Sequence, residues 1–111
     1  MDKKLRALVV ERDKWCAVCG LPLPVLPAVH HRKLRSQGGK DEACNLIALH
    51  HHCHNIAPNS VHQNPAFSYE RGWMVPSWGD PATTPVVFSD GRVVTYDNDG
   101  NTHTEGKHHG W

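Results

Sequence analysis

The chain has 111 residues, one domain's worth, with 39% apolar residues and a formal net charge of +1. No stretch approaches the ~20 consecutive apolar residues needed to span a bilayer, so no membrane association is expected. The opening MDKKLRALVVERDKW lacks the apolar run and small-residue cleavage site of a secretory signal, so a cytoplasmic setting is expected. Histidine is the compositional outlier, with ten copies beside four cysteines, a set that in a reducing compartment points to metal before disulfides.

The small net charge conceals an uneven distribution. Residues 1–40 carry nine Lys or Arg against three acids, whereas residues 41–111 carry three against eight. A basic half with a cluster at Arg32, Lys33 and Arg35 suits a phosphate backbone, although charge alone fits a solvated face equally well.

In chain order, residues 2–14 predict a helix, with Asp2 as cap and Leu5, Leu8 and Val9 on one apolar stripe. Residues 15–20 (WCAVCG) form a tight turn ending in glycine. Prolines 22, 24 and 27 keep the next segment extended. Residues 29–34 are a short strand bearing His30 and His31, residues 36–41 (SQGGKD) are a loop, and residues 45–49 (NLIAL) are a second apolar run leading into HHHCH. Residues 61–72 predict a helix with Pro65 early and Gly72 as its stop. Three prolines make 73–85 an extended surface segment. Residues 86–88 and 92–96 form a hairpin about Ser89-Asp90-Gly91. Beyond 97 the chain is polar and glycine-rich, with little to bury, and its histidines 103, 108 and 109 are assigned to solvent.

Cys16-x2-Cys19 and His50-x2-Cys53 are two knuckles of equal spacing, and together they make a tetrahedral Cys3His set for structural zinc. Such a closed site staples a domain whose core is too small to hold it. His51, His52 and Cys44 also lie near enough to compete as the fourth ligand; His50 is preferred for its spacing, which leaves Cys44 as a buried thiol. A two-Cys, two-His finger, an HExxH metallopeptidase, a zinc deaminase and a Walker phosphate loop are all excluded by missing residues.

The order Cys16-x2-Cys19, His30-His31, Gly38-Gly39, Asn45-Leu46-Ile47-Ala48-Leu49, His50-x2-Cys53-His54 resembles the zinc-knuckle HNH endonucleases, above all the small stand-alone forms common in bacteriophages. The resemblance covers about residues 10–80. It implies an α+β, treble-clef-like ββα-metal core over 1–80 stapled by zinc; the turn signals and composition add an extension at 81–97 with a hairpin packed on that core, and a flexible tail at 98–111. It also implies a metal-dependent endonuclease hydrolysing phosphodiester bonds of duplex DNA, by nicking or by double-strand cutting, with 5′-phosphate and 3′-hydroxyl products.

Carried over by position, His31 is the general base and Asn45 its support. His30 and His54 hold one catalytic divalent ion (Mg2+, Mn2+, Ni2+ or Zn2+). The family often has a further histidine four residues after His54, where this chain has Pro58. His62, eight residues on, is then either a third ligand or a surface histidine. Arg32, Lys33, Arg35 and Lys40 flank the site against phosphates, and no base-reading helix is evident, so sequence specificity should be low. By analogy with phage relatives, a large terminase subunit is an expected partner. The alternatives are a non-catalytic zinc-stapled DNA-binding module, and an interaction domain using the tryptophans of segment 73–78.

Overall fold

Asp2 is extended, and its carboxylate accepts the N–H of Lys4 at 2.7 Å, capping helix α1, Lys3–Asp13. Residues 1–107 are described here from a computed structural model. Val9 is the buried centre of the helix and packs with Leu5 and Val10 against Leu46 and Ala48. Leu8 is not on that face. It is 38% exposed and leans instead on the turn at Gly100. Arg12 takes the inward position one turn after Val9. Its guanidinium lies 3.5 Å above the Tyr96 ring and donates to the carbonyls of Ala43 and Leu46. Lys14 ends the helix in a left-handed conformation (φ 59°) that turns the chain into the first knuckle.

Strands β1, Ala28–His31, and β2, Leu46–Leu49, pair antiparallel, with His30 opposite Ile47 and His31 opposite Leu46. All four residues of β2 are buried, because each face of the strand meets a different layer. Leu46 and Ala48 face α1, while Ile47 and Leu49 join the larger core of Val61, Trp73, Val86, Val94 and Tyr96. After β2 the chain makes a single wide turn of π type, His52–Ile56, closed by the Ala57 N–H on the His52 carbonyl at 2.9 Å.

Helix α2 is Pro65–Glu70, shorter than the expected 61–72. Pro65 sits at its first position and disfavours helical geometry at Asn64, which is at φ −133°, ψ 66°. Residues 61–64 therefore remain a turn.

Strands β3, Val86–Val87, and β4, Arg92–Tyr96, form the expected hairpin. The expectation of a flexible tail from 98 is corrected: β5, Thr102–Lys107, pairs with β4 and completes a three-stranded sheet. The reason is turn chemistry in Asp97-Asn98-Asp99-Gly100. The Asp97 carboxylate accepts the N–H groups of Asp99 and Asn101 at 2.9 and 3.0 Å, and Nε2 of the exposed His103 at 2.8 Å. Asn98 Oδ1 accepts the N–H of Cys44, tying this hairpin to the start of β2. His108 and His109 lie outside the described residues. The whole is a small α+β fold, and among the described residues no helix is long and apolar enough to cross a membrane.

The placement of Arg32 on phosphates is also corrected. Its side chain is fully buried, and its guanidinium donates to the carbonyls of Gly72 (2.7 Å), Cys44 (2.8 Å), Pro81 (3.0 Å) and Thr84. Burial pushes its pKa down to about 10, which still leaves it charged at neutral pH. An Arg in a basic run reads as surface, yet this one follows β1 into the interior. Arg32→Met leaves those carbonyls without donors and should cost about 3 kcal/mol or more in urea unfolding at fixed zinc loading. A phosphate contact at the surface would predict a change within about 0.5 kcal/mol.

Candidate active site

The first knuckle is built by backbone hydrogen bonds. The Cys16 N–H donates to Leu21 O at 2.9 Å, and the Gly20 N–H to Cys16 O at 2.8 Å. This turn and the π-type turn bring the ligand atoms of Cys16, Cys19 and Cys53 within 4.8 Å of one another. Sulfurs ~2.3 Å from a tetrahedral zinc lie about 3.8 Å apart, so the three thiols fit one ion. Burial raises the Cys16 pKa, while N–H groups of Cys19, His50 and Val18 directed at its sulfur favour the thiolate. Burial and then the neighbouring Cys16 raise Cys53 as well. A bound cation reverses both, because coordination takes the thiolate form.

Among the described residues, the remaining candidates stand outside this trio. His50 Nε2 lies 2.8 Å from Pro22 O, so that nitrogen carries the hydrogen and Nδ1 holds the lone pair. His51 Nε2 is bound to Leu26 O at 2.8 Å, and His52 is exposed. Cys44 is buried elsewhere, its thiol pushed up to about 11 by burial and then by Glu42.

A second group gathers His30, His54 and His62, whose ligand nitrogens also lie within 4.8 Å of one another. His54 Nε2 is 3.2 Å from His30 Nδ1 and 3.1 Å from His62 Nε2. Nitrogens ~2.05 Å from a tetrahedral ion sit about 3.3 Å apart, so this spacing also fits a shared metal. His30 Nε2–H donates to Trp73 O at 2.8 Å, which fixes its tautomer and turns the Nδ1 lone pair toward the other two rings. Burial and then His54 lower His30 to about 3, and burial and then His62 lower His54 to about 4. Both rings are therefore neutral, as ligands must be. His62 reaches the group because the turn before α2 folds back, with its N–H on His54 O at 3.2 Å and that of Val61 on Cys53 O at 2.8 Å.

His31 follows His30 on β1 and points away from the imidazole trio, as strand alternation requires. Its Nε2 lies 2.6 Å from Asp41 Oδ1, and Arg35 Nη2 sits 2.8 Å from both oxygens of that carboxylate. These partners, His31 first, hold the Asp41 carboxyl below its ordinary value. Sequence reasoning missed Asp41, which lies in a segment readable only as loop, ten residues beyond the histidine it meets. Arg35, expected on phosphate, is engaged by this carboxylate. Lys33 Nζ donates to Gly79 O at 3.2 Å, and Lys40 is exposed.

Asn45 is fully buried and ties the 33–40 loop to the foot of β2. Its Oδ1 accepts the Lys33 N–H at 2.7 Å, and its Nδ2 donates to Lys33 O and Lys40 O at 3.0 and 3.1 Å. The two glycines of the loop are required by this closure. Gly38 has φ +90°, and a Cβ on Gly39 would stand 1.8 Å from Lys33 O.

The two groups predict different responses to substitution. Cys16→Ser should lose one bound zinc per chain and lower the melting temperature, whereas Cys44→Ser should retain the full metal content by elemental analysis. Gly39→Ala should destabilise the chain by more than 1 kcal/mol in thermal unfolding, because the loop must open to admit the methyl.

Residues 16–60 match the family model for HNH endonucleases. No curated protein and no solved structure matches the chain. The matched segment contains both knuckles, His30, His31, Gly38, Gly39, Asn45 and His54, and leaves α1, His62 and the three-stranded sheet outside. Through residues 16–60, less than half of the chain, the protein is similar to the HNH endonucleases, a family of nucleases that act on DNA.

Proposed function

We propose that the protein is a metal-dependent endonuclease that hydrolyses phosphodiester bonds of duplex DNA, nicking or cutting it with low sequence preference. The observation that carries this reading is the approach of three imidazole nitrogens, 3.1 and 3.2 Å apart in succession, beside a histidine that faces away from them on the same strand. On this reading His30, His54 and His62 hold one divalent ion, in a ββα-metal arrangement formed by β1, β2 and the turn after β2. A divalent ion there supplies Lewis-acid stabilisation of the scissile phosphate and of the departing 3′ oxygen.

The chain's own residues supply the rest. His31 accepts a proton from the attacking water, a task suited to an imidazole near neutral pH. Asn45 holds the loop that carries the surroundings of His31. Cys16, Cys19 and Cys53, with His50 as fourth ligand, hold a structural zinc that keeps the two knuckles together. Residues 1–80 form the nuclease unit, and β3 and β4 add their buried side chains to its core. Lys33 and Lys40 line the approach of the DNA backbone. A terminase-type partner is suggested only by the phage-like resemblance of the motif order.

Supercoiled-plasmid cleavage with Mg2+, Mn2+, Ni2+ or Zn2+ tests the reading. Wild-type protein should give nicked or linear product, and His31→Ala of equal zinc content should be slower by roughly 100-fold or more. Salt-sensitive DNA binding with no cleavage under any of the four ions would instead identify a non-catalytic binding module. Lys40→Ala should weaken binding across all sequences and reduce the salt slope by about 1.

A further inference from the structure

We propose that Asp41 is a positioning residue for His31, taking its Nε2 hydrogen so that the Nδ1 lone pair is the one presented to the attacking water. This rests on the endonuclease reading for its chemistry, though not for its geometry. The Nε2 to Oδ1 separation is 2.6 Å, a short charge-assisted contact. An ionised carboxylate can only accept, so Nε2 must carry the hydrogen and Nδ1 is left as the basic atom. Arg35 Nε also approaches that Nε2, but at 3.4 Å it is too distant to compete for the nitrogen.

Two features separate this arrangement from an ordinary surface ion pair, which contributes little. The first is Arg35, whose Nη2 lies 2.8 Å from both Asp41 oxygens and favours the ionised carboxylate. The second is the position of Asp41 in the chain. It directly follows Lys40, whose carbonyl is held by the buried Asn45 Nδ2 and by the Glu42 N–H at 3.0 Å. Asn45 therefore reaches His31 by two routes, through Lys33 at one end of the loop and through Lys40 and Asp41 at the other.

In the hydrolytic step, a water O–H bond breaks and its proton goes to His31 Nδ1 while the oxygen forms a bond to phosphorus. The P–O3′ bond breaks, its electron pair leaves on the 3′ oxygen, and that oxygen is protonated from solvent. Asp41 stays ionised throughout and stabilises the imidazolium formed at His31. Its contribution is to the proton-accepting step and not to DNA affinity.

The test compares wild type, Asp41→Asn and Asp41→Ala as full-length, metal-loaded protein, by plasmid-cleavage kinetics and by 15N NMR of the His31 ring at neutral pH. In both variants kcat should fall roughly tenfold to a hundredfold while KM and metal content stay unchanged. His31 should be the Nε2–H tautomer in wild type and a mixture of tautomers in Asp41→Ala. An unchanged kcat, a loss confined to KM, or a wild-type Nδ1–H tautomer would overturn the assignment. If wild type fails to cleave with any of the divalent ions, the endonuclease reading fails separately. The tautomer pair then decides the positioning role alone, Nε2–H with loss in Asp41→Ala supporting it and any other result overturning it.

Discussion

A single buried guanidinium sets the frame on which the candidate site is built. Arg32 carries its charge into the interior, and its side-chain acceptors are four main-chain carbonyls contributed by three separated stretches: the foot of β2 at Cys44, the end of α2 at Gly72, and the strap at Pro81 and Thr84. Its own backbone is equally committed, with its N–H on Asn45 O and its carbonyl accepting from Val75, both at 2.8 Å. Each of these carbonyls would otherwise lie in a small core with no donor of its own. Oriented peptide dipoles thus replace a counter-ion, and the residue next to His31 is fixed to the segments 44–45, 72–75 and 81–84.

The wide turn after β2 makes a comparable economy of chain. Cys53 and His54 are neighbours in sequence, yet one belongs to the sulfur trio and the other to the imidazole trio. Their carbonyls accept the N–H groups of Val61 and His62, so the same short turn also recruits the third histidine.

Much of this was legible because local chemistry and final structure agree. The Asp2 cap, the knuckle at Cys16 and Cys19, the two short strands and the 86–96 hairpin each carry their signal within a few residues. The rest depended on partners distant in sequence. Arg32 reads as one more basic residue until the carbonyls of Cys44, Gly72, Pro81 and Thr84 are seen around it. Asp41 gains meaning only when the loop closes on His31. His62 could be reached only by knowing that Asn64, constrained by Pro65, delays the helix and lets the chain fold back. The strand at Thr102–Lys107 was hidden by polar composition, although Asp97 and Gly100 carried a turn signal that a closer reading of loop chemistry would have found.

The pairing of β1 with β2 has a consequence beyond stability. His30 and His31 are chemically identical side chains, so only the strand's register against Ile47 and Leu46 distinguishes them. A slip of one residue would exchange their faces, sending the buried imidazole to solvent and the outward one to the imidazole trio. The amino acids would be unchanged and the division of roles inverted. The apolar contacts that bury β2 on both sides thus determine which of two identical rings joins the imidazole trio and which is left facing outward.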